Sequence, residues 1–219
     1  MSGRRALLAA VVAGLAVTAI AAADVNDPKT RITKADQAHA AAAVLRLSDL
    51  GAAWTGGPEK PNSVKIPVCP SNQPHYNDLT ITGHAESGFA LDTQGVDIDT
   101  DVEVFKSKAQ VSKLISRVIT PALGGCLRYD LVNSIGRSAT VGLMTKQPVP
   151  AVGDRVGLFR LSLSLKSGGK TVKVLSDYLF LSNGRIQFFV NIVAPANVED
   201  ELPALESRIA KTLALRGTG

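Results

Sequence analysis

The strongest constraint on how this chain folds is a period of two. Phe159, Leu161, Leu163 and Leu165 alternate with Arg160, Ser162, Ser164 and Lys166. Successive side chains of a β-strand point to opposite faces, so the run reads as a strand with one apolar and one polar side. Residues 166–170, with Gly168-Gly169 among them, predict a turn, and 172–181 the next strand. Asn183-Gly184 predicts a type I′ hairpin, whose two central residues need positive φ. Beyond it Ile186, Phe188, Val190 and Ile192 alternate with Arg185, Gln187 and Asn191. With 139–145 as an earlier strand, the second half is a meander, and strands joined by turns this short pair antiparallel.

The first half adds one sharper alternation. Val96, Ile98, Thr100, Val102 and Val104 share one face of a strand, and Asp97, Asp99, Asp101 and Glu103 the other. Residues 86–91 are its expected partner across a turn at 92–95. Three helices are expected. The first covers 34–47, is rich in alanine, has Thr33 as N-cap and ends before Gly51. The second covers 107–120, opened by a Ser107/Gln110 capping box, with Val111, Leu114, Ile115, Val118 and Ile119 on one stripe and Pro121 closing it before a Gly124-Gly125 turn. The last begins near Glu199, carries Leu202, Leu205, Ile209 and Leu213, and has acids at its start and Arg208 and Lys211 near its end, as the helix dipole favours. Strands with one apolar face need cover on that face. The expected fold is α+β, a single-domain sandwich in which an antiparallel sheet of about five to six strands carries helices packed on one face.

Residues 1–23 read as a secretory signal peptide: Arg4-Arg5, an uncharged run over 6–23, and Ala21-Ala22-Ala23 before Asp24. A retained membrane anchor is the other reading, but a span takes about 20 strongly apolar residues, and many here are alanine. Residues 24–32 are expected to be a flexible tether, and 33–219 the extracytoplasmic domain. Removing the signal takes away two arginines and no acid, lowering the formal charge from +5 to +3. What remains divides into a net −2 over 24–120 and +5 over 121–219. With 5% aromatics and no dense Lys/Arg run, nucleic acid is excluded as a partner. Membrane contact is expected only through the signal segment, if it is uncleaved.

In an exported chain, two cysteines, Cys69 and Cys126, predict a disulfide, and Cys69 would pin the proline-rich loop over 52–78. Asp97, Asp99 and Asp101 suggest calcium, but an EF-hand loop opening at Asp97 needs Gly where Val102 stands and Glu where Lys108 stands. They read as a solvated strand face, and no metal site is expected. His39 is placed on a helix, His75 and His84 in loops, with no His-Glu-x-x-His pattern. A nucleophile elbow, a phosphate loop and a dinucleotide fingerprint are all missing, so neither catalytic residues nor a cofactor are expected. The residues proposed to line a ligand cleft are Trp54, Tyr178, Phe180, Phe188 and Phe189, because bulky groups occupy both strand faces there.

An ordered set of motifs carries a family resemblance. Leu47-Ser48-Asp49-Leu50-Gly51-Ala52-Ala53-Trp54 opens it; Cys69 falls in a proline-rich loop; Val104-Phe105 leads into a helix ending near Cys126-Leu127; Val152-Gly153-Asp154 precedes the meander, and Asn183-Gly184-Arg185-Ile186 turns into the last strand. In this order the chain resembles the extracytoplasmic sensor-like domains of actinobacterial secreted proteins and lipoproteins, a family similar to the extracellular sensor domain of mycobacterial serine/threonine kinase H. The resemblance implies an α/β sandwich with a cleft, ligand sensing outside the membrane, and no catalytic residues. The family pattern has two disulfides where this chain allows one, and no kinase domain is present. The expected function is that of an exported, non-catalytic cell-envelope protein binding a small or lipidic ligand, or an envelope protein, in a cleft. Two alternatives are a secreted hydrolase with a dispersed Ser/His/Asp triad, and a structural or adhesion module using the basic second half.

Overall fold

The computed structural model describes residues 27–61, 75–135, 139–167 and 170–218. The expected signal peptide and Cys69 lie outside them. The strands are β1 (Lys29–Thr30), β2 (Thr55–Glu59), β3 (Thr80–Leu91), β4 (Val96–Phe105), β5 (Ala139–Val141), β6 (Thr145–Gln147), β7 (Arg155–Ser167), β8 (Lys170–Asn183) and β9 (Ile186–Pro195). The helices are α1 (Lys34–Ala43), α2 (Leu47–Leu50), α3 (Lys108–Val118), α4 (Leu123–Ile135) and α5 (Leu202–Arg216), the last preceded by a 3₁₀ turn over Ala196–Glu201.

All nine strands join one open sheet in the order β1-β3-β4-β9-β8-β7-β5. The expected meander is β7-β8-β9, and β9 pairs with β4 to fuse it to the β3–β4 hairpin. Each outer edge is shared by two short strands, β1 and β2 along β3, and β5 and β6 along β7. Those edge strands raise the number above the five or six expected. The sheet is also mixed rather than purely antiparallel, because β1 runs parallel to β3. Lys29 N–H donates to the Leu79 carbonyl and Arg31 N–H to that of Ile81, which corrects the tether reading from Lys29 onward.

Helices cover both faces, not one. On the first face α1 and α5 pack over Ile98, Val102, Leu179, Leu181, Phe188 and Val190. On the second, α3 and α4 pack over Leu161, Leu163, Val174, Tyr178, Phe180 and Val193. The reason lies in β8 and β9, where both faces are apolar, and an apolar sheet face has to be buried. The described fold is three layers around an open α+β sheet.

Local expectations were altered by tertiary contacts. Thr33 caps α1, its Oγ1 accepting from Asp36 N–H at 3.1 Å. Ser107 caps α3, but Gln110 does not reach back; its Oε1 accepts from Thr80 N–H at 3.0 Å and so ties α3 to the start of β3. Gly124-Gly125 lies inside α4 rather than in a turn. At the β8–β9 hairpin Asn183 still pairs with Ile186, and only Gly184 has positive φ, +59°. A glycine first in a two-residue loop is the type II′ pattern, not I′. Asn183 is thereby left to donate from Nδ2 to the Ala214 carbonyl at the end of α5.

One polar network sits inside the first layer. Arg160 of β7 is 6% exposed, and Asp177, its register partner on β8, is 0% exposed. The guanidinium donates Nε–H to Asp177 Oδ1 at 2.7 Å and Nη2–H to Oδ2 at 2.8 Å, and also reaches Glu199 of the 3₁₀ turn and Glu206 of α5. Burial, together with the hydrogen bond to Asp177 and its charge, pushes Glu206 up to about 8 against the pull of Arg160. Glu206 therefore holds its proton well above the usual carboxylate range. The end of α5 is held too: Arg216 donates to Asp49 at 2.7 Å and to the Val44 carbonyl.

Candidate functional site

Period-two alternation puts His84, Glu86 and Gly88 of β3 on the same face as Asp97, Asp99, Asp101 and Glu103 of β4. The register sets His84 opposite Glu103, Glu86 opposite Asp101, and Gly88 opposite Asp99. On the far side of β4, Gln187, Phe189 and Asn191 of β9 stand against Glu103, Asp101 and Asp99. On the near side Glu59 of β2 pairs with Glu86. Gly88 makes room for this edge: a Cβ there would lie 2.3 Å from Glu59 Oε1 and 3.4 Å from Asp99 Oδ1.

His84 holds the centre. Its Nε2 lies 3.1 Å from Asp101 Oδ2 and 3.2 Å from Glu86 Oε1. Its backbone is fixed from outside the sheet. Between the end of the β1 pairing at Ile81 and the end of the β2 pairing at Glu86, the edge of β3 has no strand partner among the described residues. Gln37 of α1 fills that gap, donating Nε2–H to the His84 carbonyl at 2.7 Å and accepting from His84 N–H at 3.2 Å.

The solvated-face expectation therefore needs correcting. Asp101 is 7% exposed, and the side chains of Glu86 and His84 only 12% and 17%. Asp99 remains exposed. His84 lies on a strand, not in a loop. Electrostatics follow from this burial. Desolvation alone would lower His84, but hydrogen bonds to Asp101 and Glu86 and the charges of Asp101 and Glu103 outweigh it and hold the imidazole at about 10. Burial pushes Asp101 up, with His84 opposing. Burial and the Asp101 charge push Glu103 up to about 8; although Asp99 keeps an exposed side, partial desolvation by the atoms around it and the charges of Glu59, Asp97 and Glu86 act upward on it. As a unit the group holds its protons more tightly than free carboxyl and imidazole groups do. Among the described residues no lysine or arginine forms an ion pair with Asp99, Asp101 or Glu103.

The ligand atoms of His84, Glu86 and Asp101 all lie within 4.8 Å of one another, a spacing that could hold a metal ion. The 3.1 and 3.2 Å separations approach the ~3.4 Å edge of a tetrahedron with ~2.1 Å bonds. Among the described residues the side-chain partners of His84 Nε2 are Asp101 and Glu86.

The aromatic candidates are divided between the layers. Trp54 and Phe188 are buried in the first core, at 7% and 0% exposure. Tyr178, Phe180 and the half-buried Phe189 come together in the second, with Phe189 ring centres 6.1 Å from Tyr178 and 5.2 Å from Phe180. Only Phe189 adjoins the acidic group, beside Asp101. The other two histidines stand apart from His84, His39 on α1 and His75 before β3, its carbonyl accepting from Arg117. Cys126 is buried in α4 at 1% exposure, and no cysteine among the described residues is free. Among the described residues, no helix is long and apolar enough to cross a membrane.

Fold and site together define a mixed-sheet α+β domain with a half-buried, histidine-centred acidic group on one sheet face. No protein-family model matches the chain, and no curated protein is similar enough to count as a relative.

Proposed function

We propose that this chain is an exported, non-catalytic binding domain of the cell envelope, stabilised by a Cys69–Cys126 bridge, that takes a positively charged ligand on the face formed by His84, Glu86, Asp101 and Glu103. The observation behind this reading is a set of poorly exposed carboxyl groups gathered around His84, with Asp101 at 7% exposure and Glu103 half-buried. The protonated His84 ring and the raised Glu103 offset part of the charge on this face, and a bound cation can take their place beside Asp101 and Glu86. Phe189 offers an aromatic surface at the same spot, which suits an organic cation. Export is supported by the residues 1–23 pattern and by the paired cysteines.

Three of the twelve basic side chains over 121–219 are paired with acids of the fold. Arg160 is buried in the Asp177 network, Arg185 pairs with Asp36, and Arg216 with Asp49. Calorimetric titration with spermidine, and with octyl phosphate as an anionic control, tests the proposal. Spermidine should bind, and Asp101→Asn should weaken it at least tenfold. Binding of the anion alone would overturn the reading.

A further inference from the structure

The sheet face just described carries a more specific possibility than a general preference for cations. We infer that His84 Nε2, Glu86 and Asp101 form a binding site for one divalent transition-series cation, with zinc the reference ion. This rests on the cationic-ligand reading above and names its ligand.

Three features of the group argue for a metal rather than a diffuse acidic surface. The donor set mixes one imidazole nitrogen with two carboxylate oxygens, and imidazole with carboxylate suits zinc and manganese, whereas calcium and magnesium favour oxygen alone. The donors lie on two adjacent strands of a paired sheet rather than on a loop, so their positions are set by register. The backbone of His84 is held on both its N–H and its carbonyl by Gln37, which orients the residue before any ion arrives. A fourth carboxyl, Glu103, stands opposite His84, is half-buried, and forms no hydrogen bond with any described residue. It lies outside the three-donor group and borders it.

The proton balance is explicit. Without metal, Nε2–H lies between Asp101 and Glu86. An ion bound at Nε2 needs that lone pair, so the Nε2 proton leaves to solvent as the metal arrives. The groups facing His84 are Glu86 on its own strand, Asp101 and Glu103 on β4, and Gln187 on β9, with Asp99 and Glu59 farther along the same face. Any proton held among the carboxyls leaves as well.

The test is calorimetric titration of the full chain with Zn²⁺, Mn²⁺, Ca²⁺ and Mg²⁺ at pH 6.5, 7.5 and 8.5, in two buffers of different ionisation heat. The expected result is one Zn²⁺ per chain and little response to Ca²⁺ or Mg²⁺. His84→Gln and Glu86→Gln should each weaken Zn²⁺ at least tenfold, and Asp92→Asn, an exposed acid at the hairpin turn, should change nothing. Glu86→Gln keeps the test usable if a change at the more buried Asp101 prevents folding, and circular dichroism checks each variant. Zinc that binds the His84→Gln variant as well as the parent would overturn the inference, as would Ca²⁺ binding as tightly as Zn²⁺. If spermidine binds and no metal does, the inference fails and the cationic-ligand reading stands. If neither binds, both fail.

Discussion

Replacing Asp177 by asparagine should cost about 3 kcal/mol of stability and flatten its dependence on pH. The carboxylate is 0% exposed and makes both short bonds, 2.7 and 2.8 Å, to the Arg160 guanidinium. Breaking a buried ion pair by removing one partner costs about 3–5 kcal/mol, because the other charge stays buried. The low end applies because Glu206, 3.1 Å from Nη2, can lose its proton and take over part of the pairing. In the parent protein Glu206 is raised from 4.5 to about 8. Between those values the folded state holds a proton that the unfolded state lacks, so stability falls as pH rises through the window. Without the Asp177 charge and hydrogen bond, Glu206 ionises more readily beside Arg160, and the fall between pH 5 and 8 should shrink. Adding Glu206→Gln removes the substitute and brings the loss to about 5 kcal/mol. Urea denaturation at both pH values reads this out. With m of about 2 kcal/mol/M, the single variant should lower the midpoint by about 1.5 M. A single variant within about 1 kcal/mol of the parent at both pH values would refute the reasoning.

Two further outcomes follow from the geometry. Gly83→Ala should destabilise by at least about 2 kcal/mol, because its Cβ would meet the Asp36 carbonyl oxygen at 2.2 Å, and that atom is α1 backbone rather than a flexible side chain; a melting temperature within 2 °C of the parent would contradict this. In metal-free buffer, stability should peak near pH 4–5. Above that, Asp99, Glu103, Glu206 and His84, all raised, lose their contributions in turn as pH climbs from 3.8 towards about 10. Below it, Asp78, held low by hydrogen bonds from Arg117 and Lys113, and Asp154, held low by Lys108 and Gly184 N–H, lose theirs as they protonate. Chemical denaturation across pH 3–10 checks the profile, and a maximum at pH 8 would count against it.

The meander was legible because alternation in β7 and β9 is nearly complete, and the apolar stripe of α3 because its spacing is regular. The second helical layer was not. Polar residues in β7 and β4 suggested one wet face, while Tyr178, Phe180, Phe189 and Val193 supply an apolar second face that α3 and α4 cover. Helix α4 was hidden behind Pro121 and Gly124-Gly125, which locally argue against a helix and are overridden by packing. At the site, the acidic side of β4 was plain, but its partners were not. The signal was available: stepping back residue by residue from the Leu91–Val96 pair places Glu86 on Asp101 and His84 on Glu103. His84 was missed because Gly83 interrupts the strand pattern, and the register there shifts between Ile81 and Gly83. No local pattern shows that Gln37, 47 residues away, supports the His84 backbone.

The most direct test of the account is anomalous diffraction at the zinc absorption edge from crystals of the full chain grown with equimolar Zn²⁺. The account predicts one strong peak about 2.1 Å from His84 Nε2, with Glu86 and Asp101 oxygens in the same shell. A peak at His39 or His75 instead, or none near His84, would contradict it.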